Sequence, residues 1–332
     1  MAPSSSSGQR IPLIPVESVS ITILVDNVAD ALIADSGPAK RQQPAASAVV
    51  PARFLEGGRT RETLRAEHGF SALVTVRNGG RTRTLLFDTG VSPDGMVENA
   101  RRLEVPLRDI ETVVLSHGHF DHTTGLDGLA TALGRSGLPL IIHPLFWLRR
   151  RLNIPGREPR ELPSTSKSAL RGAGFEIIEE RQPSFLLDGA VLITGEVERT
   201  TPFERGFPVH EAFQDGAWQP DPLILDDQAI IIHVAGKGLV VLTGCGHAGI
   251  VNIVRHAQAL TGVEQVYAVI GGFHLTGPWF EPIIGETCAA LAAIGPRVIV
   301  PAHCTGWRAV HLLAAAFPEA FIQNSVGTRY DL

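Results

Sequence analysis

The feature that most constrains this chain is the hexapeptide His117-Gly118-His119-Phe120-Asp121-His122. It sets three imidazoles and a carboxylate within six positions, directly after the apolar run Val113-Val114-Leu115. Neutral imidazole and carboxylate are the donors that zinc and other borderline first-row metals prefer. Four donors this close cannot all turn inward on one helix or strand, because side chains diverge with periods of 3.6 or 2. They suit a loop at a strand end, where the backbone can fold around a metal. A pair at i and i+2 followed by a pair at i+4 and i+5 can serve two metals. The chain has 12 histidines in 332 residues, so this density is read as a metal site rather than a histidine-rich surface loop.

The rest of the composition narrows the class. With 44% apolar and 19% charged residues, the chain reads as a soluble globular enzyme of one large domain. The formal net charge of -5 gives no global electrostatic case for nucleic acid. Cys245, Cys288 and Cys304 form no CxxC pair, so neither a disulfide framework nor a zinc ribbon is implied, and a reducing, cytoplasmic location is expected. No stretch approaches the roughly 20 apolar residues of a membrane span. The Ser-rich start lacks the apolar core of a secretory signal; residues 1–17 are expected to be a disordered leader and 18–332 one domain.

Periodicity places strands at 19–25, 70–76 and 82–87, the last two joined as a hairpin through Asn78-Gly79-Gly80. Residues 30–60 read as a long loop. A helix is expected over 95–104, a short buried strand at 113–115, a helix over 125–133 and a strand at 140–142. Residues 144–222 are less regular, with strands at 175–178 and 190–193; the rest is expected to form a cap inserted over the site. A second hairpin spans 229–234 and 238–242. Strands at 239–243, 266–270 and 297–301 then alternate with helices at 249–260, 282–294 and 306–316. Crossover units of this kind, together with hairpins, imply two mixed sheets with helices outside, an αββα sandwich.

In such sheets, active residues gather at the carboxyl ends of strands. Four strands here end in metal-capable side chains: 113–115 leads to the hexapeptide, 240–243 to Cys245 and His247, 269–271 to His274, and 298–300 to His303 and Cys304. His303 and His247 are read as ligands, with helix capping the rival role for His247. His274 is open between ligand, proton donor to a leaving group and substrate contact. Cys245 is either a bridging thiolate or a small packed residue, and Cys288 is core. Asp88 is read as supporting the site through hydrogen bonds. Asp226, Asp227 and Glu196 are acids that either cap turns or complete a metal shell. His68, His143, His210, His233, His256 and His311 are read as structural or exposed. The basic run Arg149-Arg150-Arg151, with Arg157 and Arg160, is a solvated face, or an anion-binding lining if the cap presents it.

Ser116 to His122 resembles the HxHxDH signature of the metallo-β-lactamase superfamily, and the resemblance runs from about residue 19 to 328. Asp88-Thr89-Gly90 resembles that family's first motif, and His303 sits where its last histidine ligand is expected. Four further segments are similar to a narrower group, the dihydropterin ribofuranosylaminobenzene 5′-phosphate synthase-like proteins. They are Asp226-Asp227-Gln228-Ala229, the run Thr243 to Ile250, Gly271 to Leu275, and His303-Cys304-Thr305-Gly306. The resemblance implies the αββα fold and one or two Zn2+ per chain, with Mn or Fe as alternatives. It assigns His117 and His119 to a first metal and Asp121, His122 and His303 to a second. It departs from the family at the bridging aspartate, where this chain reads Cys245-Gly246-His247, and at a histidine before that strand, where Asp226-Asp227 are the nearest acids.

The activity this implies is hydrolysis of an ester, lactone, amide or phosphodiester by zinc-bound hydroxide. Asp121 orients the nucleophile while ligating metal, and His274 donates a proton to the leaving group. Two other readings are pterin-linked transfer and a metal-bound sensor with little turnover. The expected partner is a small molecule, anionic if the arginines line the cap, with neither nucleic acid nor membrane; a homodimer is compatible with the sequence.

Overall fold

In the computed structural model, which describes residues 12–332, two mixed sheets lie face to face. The larger has eight strands in the order Phe175–Glu179, Leu138–Ile142, Thr112–Val114, Arg81–Phe87, Ser71–Asn78, Ser18–Val25, Thr328–Asp331 and Ala39–Arg41. The smaller has six, in the order Ser184–Leu186, Val191–Ile193, Ile230–Val234, Gly238–Thr243, Val266–Gly272 and Val298–Ala302.

Strand alternation builds the layers. Ile21, Ile23, Val74, Leu85 and Phe87 face Ile230, Ile232, Val240, Leu242, Ala268, Ile270 and Val300 across the central core. Their sequence neighbours point outward. Leu24, Leu73, Leu86 and Val113 pack on helices Gly95–Arg102 and Leu126–Leu133 through Met96, Ala100 and Leu129. Ile231, Leu239, Val241, Val269 and Ile299 pack on helices Ile250–Thr261, Ile284–Ile294 and Trp307–Ala316. These strands are buried on both faces, which is why they read as continuous Val/Ile/Leu runs. The αββα architecture is therefore present as expected. The first hairpin turns on Gly79 and Gly80, both left-handed (φ 56° and 73°), the type I′ geometry that only small or amide residues adopt readily.

Three segments differ from expectation. Residues 30–60 are not one loop: Ala39–Arg41 edges the large sheet beside Thr328–Asp331, and Val49–Pro51 pairs with Arg59–Arg61. Strands of three residues are too short to show alternation, and the first depends on a partner from the far end of the chain. Residues 1–11 of the expected leader lie outside the described residues. Residues 12–17 pack onto the fold: Leu13 and Val16 are buried, and Val16 N donates to His233 O at 2.8 Å. Within 144–222, strands Phe175–Glu179 and Val191–Ile193 belong to the two main sheets, so the segment crosses from one to the other. Ser184–Leu186 also joins the smaller main sheet, and a separate sheet is formed by Arg160–Glu161, Arg150–Leu152, His210–Gln214 and Ala217–Pro220. There the basic run divides. Arg149 and Arg151 pair with Glu161 and Glu211, whereas Arg150 is buried on Asp226. Among the described residues no helix is long and apolar enough to cross a membrane.

Candidate metal centre

Strands Thr112–Val114 of one sheet and Gly238–Thr243, Val266–Gly272 and Val298–Ala302 of the other deliver their carboxyl ends to one edge of the sandwich. The segment Asp226-Asp227-Gln228 staples the loops there. Asp226 Oδ2 accepts from Gly118 N at 2.9 Å, Asp227 Oδ2 accepts from Ala248 N at 2.9 Å, and Gln228 Nε2 donates to Leu115 O at 3.0 Å. Neither acid is in the two donor groups: Asp226 is held by Gly118 N and Arg150, and Asp227 by Ala248 N on Oδ2, while its buried Oδ1 has no partner. Glu196 is likewise elsewhere, paired with Arg181 and 3.3 Å from His143 Nε2. Three non-glycine residues at the strand ends adopt left-handed backbone: Asp88 (φ 58°), His274 (φ 44°) and His303 (φ 48°). Such conformations cost free energy and persist where the surroundings enforce them. At His303 the enforcing groups are visible: Asp26 Oδ1 accepts from His303 N at 2.7 Å, and Asn27 Nδ2 donates to His303 O at 3.0 Å.

Seven donors converge in two groups, Asp121/His122/Cys245/His303 and His117/His119/His247, and within each group the donor atoms lie within 4.8 Å of one another. In the first, His122 Nε2 is 3.2 Å from both Cys245 Sγ and His303 Nε2, and His303 Nε2 is 3.3 Å from Asp121 Oδ2. In the second, His117 Nε2 and His119 Nδ1 are 2.9 Å apart, and each is 3.2 Å from His247 Nε2. Ring nitrogens facing each other like this cannot all carry protons.

The outer partners show where the protons sit. His122 Nδ1 lies 2.7 Å from Asp88 Oδ2 and donates to it, so that in the neutral ring Nε2 is the lone pair. Ser116 Oγ donates to Asp88 Oδ2 at 2.7 Å and so accepts from His117 Nδ1 at 2.9 Å, again freeing Nε2. One carboxylate, Asp88, thus orients two inward-facing imidazoles, the arrangement that holds histidine ligands of metals. Gly244 permits it, since a Cβ there would stand 2.1 Å from Ser116 Oγ and 2.6 Å from Asp88 Oδ2.

The metallo-beta-lactamase superfamily profile matches residues 65–254. The chain belongs to that superfamily. It is 31% identical over 266 residues to 7,8-dihydropterin-6-methyl-4-(beta-D-ribofuranosyl)-aminobenzene-5'-phosphate synthase of Methanocaldococcus jannaschii, covering 79% of this chain and 89% of the relative. It is 30% identical to the uncharacterized protein MJ0448 of the same organism, covering 79% and 92%. Among solved structures it resembles Tm1679, described as a metal-dependent hydrolase of the beta-lactamase superfamily, with a TM-score of 0.69 at 24% identity over 95% of this chain and 99% of that one. The last likeness is one of fold.

Within this superfamily member, the electrostatics suit a cation at both donor groups. Burial and the neighbouring imidazoles hold His117, His119 and His247 well below the usual histidine range, so they are neutral, the form that binds metal. Burial pushes His303 down to about 4 and His274 to about 3. Burial also opposes charge on His122, but Asp88 and Asp121 outweigh it and raise its pKa. Asp121 is lowered despite its burial, because His122 and His303 stabilise the carboxylate. Burial, with Cys304 alongside, lifts Cys245 well above the ordinary thiol range. An N3 set and an O/N/S/N set are both within what zinc accepts.

The sequence reading and the structure agree on which strand ends meet. Cys245 and His247 each contribute a donor atom to the cluster, and no side chain caps helix Ile250–Thr261 at Gly249, so His247 is not acting as a cap. His274 is in neither group; its ring lies 4.2 Å from that of His247 and 4.4 Å from that of Phe280. It lines a cavity of about 560 Å3 with His247, Phe203, Phe273, Trp279 and Phe280. Two histidines read as structural or exposed stand beside the donors. His210 Nε2 is buried 2.9 Å from His119 Nε2, and His68, largely exposed, has its Nε2 3.9 Å from Asp121 Oδ2. Neither has a local motif. His68-Gly69 precedes a strand, and His210 sits in the irregular segment, so only tertiary contact marks them.

Proposed function

We propose that this chain is a metal-dependent hydrolase whose substrate carries an apolar, ring-sized group next to an ester, lactone, amide or phosphodiester centre. The observation that carries the reading is the pair of donor groups beside an aromatic-walled cavity of about 560 Å3, which His247 of the second group lines. His117, His119 and His247 would hold one ion, and Asp121, His122, Cys245 and His303 the other. When bound, zinc supplies a water whose pKa falls toward about 7 and a Lewis acid for the electrophilic oxygen. Asp121 keeps its negative charge beside His122 and His303 and orients the attacking water. Phe273, Trp279 and Phe280 seat the apolar group and exclude bulk water. His274 faces the same cavity as a neutral imidazole, and its Nδ1 has no partner in the protein; it meets the leaving group through a ring hydrogen bond.

A second reading has a specific observation in its favour: 31% identity to a pterin-linked synthase across most of both chains. In that reading the same cavity would seat a pterin or aminobenzene ring, and metal held by the two donor groups would neutralise a phosphate or pyrophosphate leaving group. The deciding experiment is an activity panel on metal-loaded protein. Turnover of esters, lactones or phosphodiesters supports hydrolysis. Conversion of an aminobenzoate with a pterin pyrophosphate, without turnover of simple esters, overturns it in favour of transfer. Full metal occupancy with no turnover in either arm overturns both and leaves a metal-bound sensor.

A further inference from the structure

We propose that His210 is a positioning residue for the His117/His119/His247 group, fixing the tautomer of His119 through a relay anchored in the small accessory sheet. The direction of the relay is forced by its far end. Asp221 O can only accept, and His210 Nδ1 lies 3.0 Å from it, so His210 carries its proton on Nδ1. In the neutral ring, His210 Nε2 is then a bare lone pair. Its neighbour at 2.9 Å is His119 Nε2, which must therefore carry the proton of that ring. The remaining nitrogen of His119, Nδ1, is the atom that meets His117 Nε2 and His247 Nε2. A His119 ring in the opposite tautomer would set an N–H against those two nitrogens and two lone pairs against each other at His210.

The relay is held from beneath by Arg150, the arginine the sequence left in a solvated run. Its Nη2 is 2.5 Å from Asp226 Oδ1 and 3.2 Å from Leu145 O, and its Nε is 3.5 Å from Asp221 Oδ2. Asp226 in turn accepts from Gly118 N between the two histidines, and Asp221 Oδ2 is 3.4 Å from His210 Nδ1. One buried guanidinium thus joins the carboxylate under the hexapeptide loop to the carboxylate beside His210. Phe207 stacks on His210 from the other side, with centroids 6.2 Å apart and planes 27° apart. The accessory strands Arg150–Leu152 and His210–Gln214 pair directly, Ala212 opposite Arg150, so the sheet holds relay and anchor in one register. An outer partner of this kind sets a histidine ligand's orientation and typically carries about 10–100-fold in metal affinity.

The inference rests on the reading of His117, His119 and His247 as metal donors, and the test separates the two. Zn2+ affinity is measured by chelator competition on the full chain for wild type, His210→Leu and His210→Gln, with melting of the metal-free proteins as the control for folding. The leucine variant is expected to weaken one of two sites about 10–100-fold and to leave the other unchanged. The glutamine variant, whose Oε1 accepts from His119 Nε2, is expected to restore most of the loss. Folded variants that both bind as wild type does overturn the proposal. Should the leucine variant not fold, ring-nitrogen correlation spectra of metal-free wild type decide. His119 protonated on Nε2 and His210 on Nδ1 support the relay, and His119 protonated on Nδ1 overturns it. Wild type that binds no Zn2+ sinks the metal reading, while the ring tautomers still report on the relay.

Discussion

At the scale of single residues, Asp88 and Cys245 carry the most testable chemistry. Asp88 accepts from Ser116 N and Ser116 Oγ and from His122 Nδ1, all at 2.7 Å, in full burial. Asp88→Asn keeps the shape but removes an acceptor, so metal affinity should fall about 10–100-fold, read by chelator competition; unchanged affinity would contradict the orienting role. Cys245 lies in the stretch Cys245-Gly246-His247, where the family resemblance expects a bridging aspartate. Its Sγ lies among nitrogen and oxygen donors, so Co2+-loaded protein should show a sulfur-to-metal charge-transfer band that Cys245→Ser abolishes. A spectrum identical in the two proteins would mean the thiol is only packed. Metal analysis of His303→Ala should show about one ion fewer than wild type; an unchanged content would remove His303 from the donor set. The hexapeptide stood out as a candidate donor set because its donors are adjacent in sequence. Asp227 and His210 could not stand out in this way, because a carboxylate becomes a staple or an imidazole a relay only through a partner elsewhere in the chain.

At the scale of elements, helix Ile250–Thr261 starts at Gly249 (φ 93°) with no capping side chain of its own. Its free N–H groups are served from a distant loop: Glu204 Oε1 accepts from Val251 N at 2.9 Å and Oε2 from Asn252 N at 2.8 Å. Glu204→Ala leaves both donors buried without partners and should cost about 2–3 kcal/mol of stability, measured by urea denaturation. Burial outweighs those hydrogen bonds and raises the Glu204 carboxyl above its ordinary value of 4.5. The folded chain therefore keeps a proton that the unfolded chain releases. This group's contribution to stability falls as pH rises from about 4.5 through the folded value. The stability gap between wild type and Glu204→Gln should narrow across that window; a gap that widens would contradict the sign. Helix and strand positions of the last third were legible because their periodicity is local. The partner of this helix terminus was not, since it lies in the irregular segment, where no period marks it.

At the scale of the whole molecule, the donors sit on one edge of a sandwich whose three apolar layers do not involve them. Removing metal should lower the melting temperature, because ligand bound only to the folded state adds stability by mass action. It should leave secondary structure intact by circular dichroism. Collapse of the spectrum on chelation would show that the metals hold the fold together rather than resting on it. The small sheet of 150–161 and 210–220 reaches the site as a support, since His210 and Arg150 both come from it.

The sequence by itself determined the layered αββα plan, the strand ends that meet, and the candidate metal-donor set of the hexapeptide. Each follows from spacing along a few residues: alternation buries strand faces, and adjacent imidazoles share one loop. Only the tertiary structure brought Cys245 and His247 into the two candidate donor groups, set Asp226 and Asp227 against backbone N–H groups, and placed His210 and Arg150 behind His119. Those outcomes depend on distances between residues far apart in the chain, set when two sheets and an accessory sheet close on one edge.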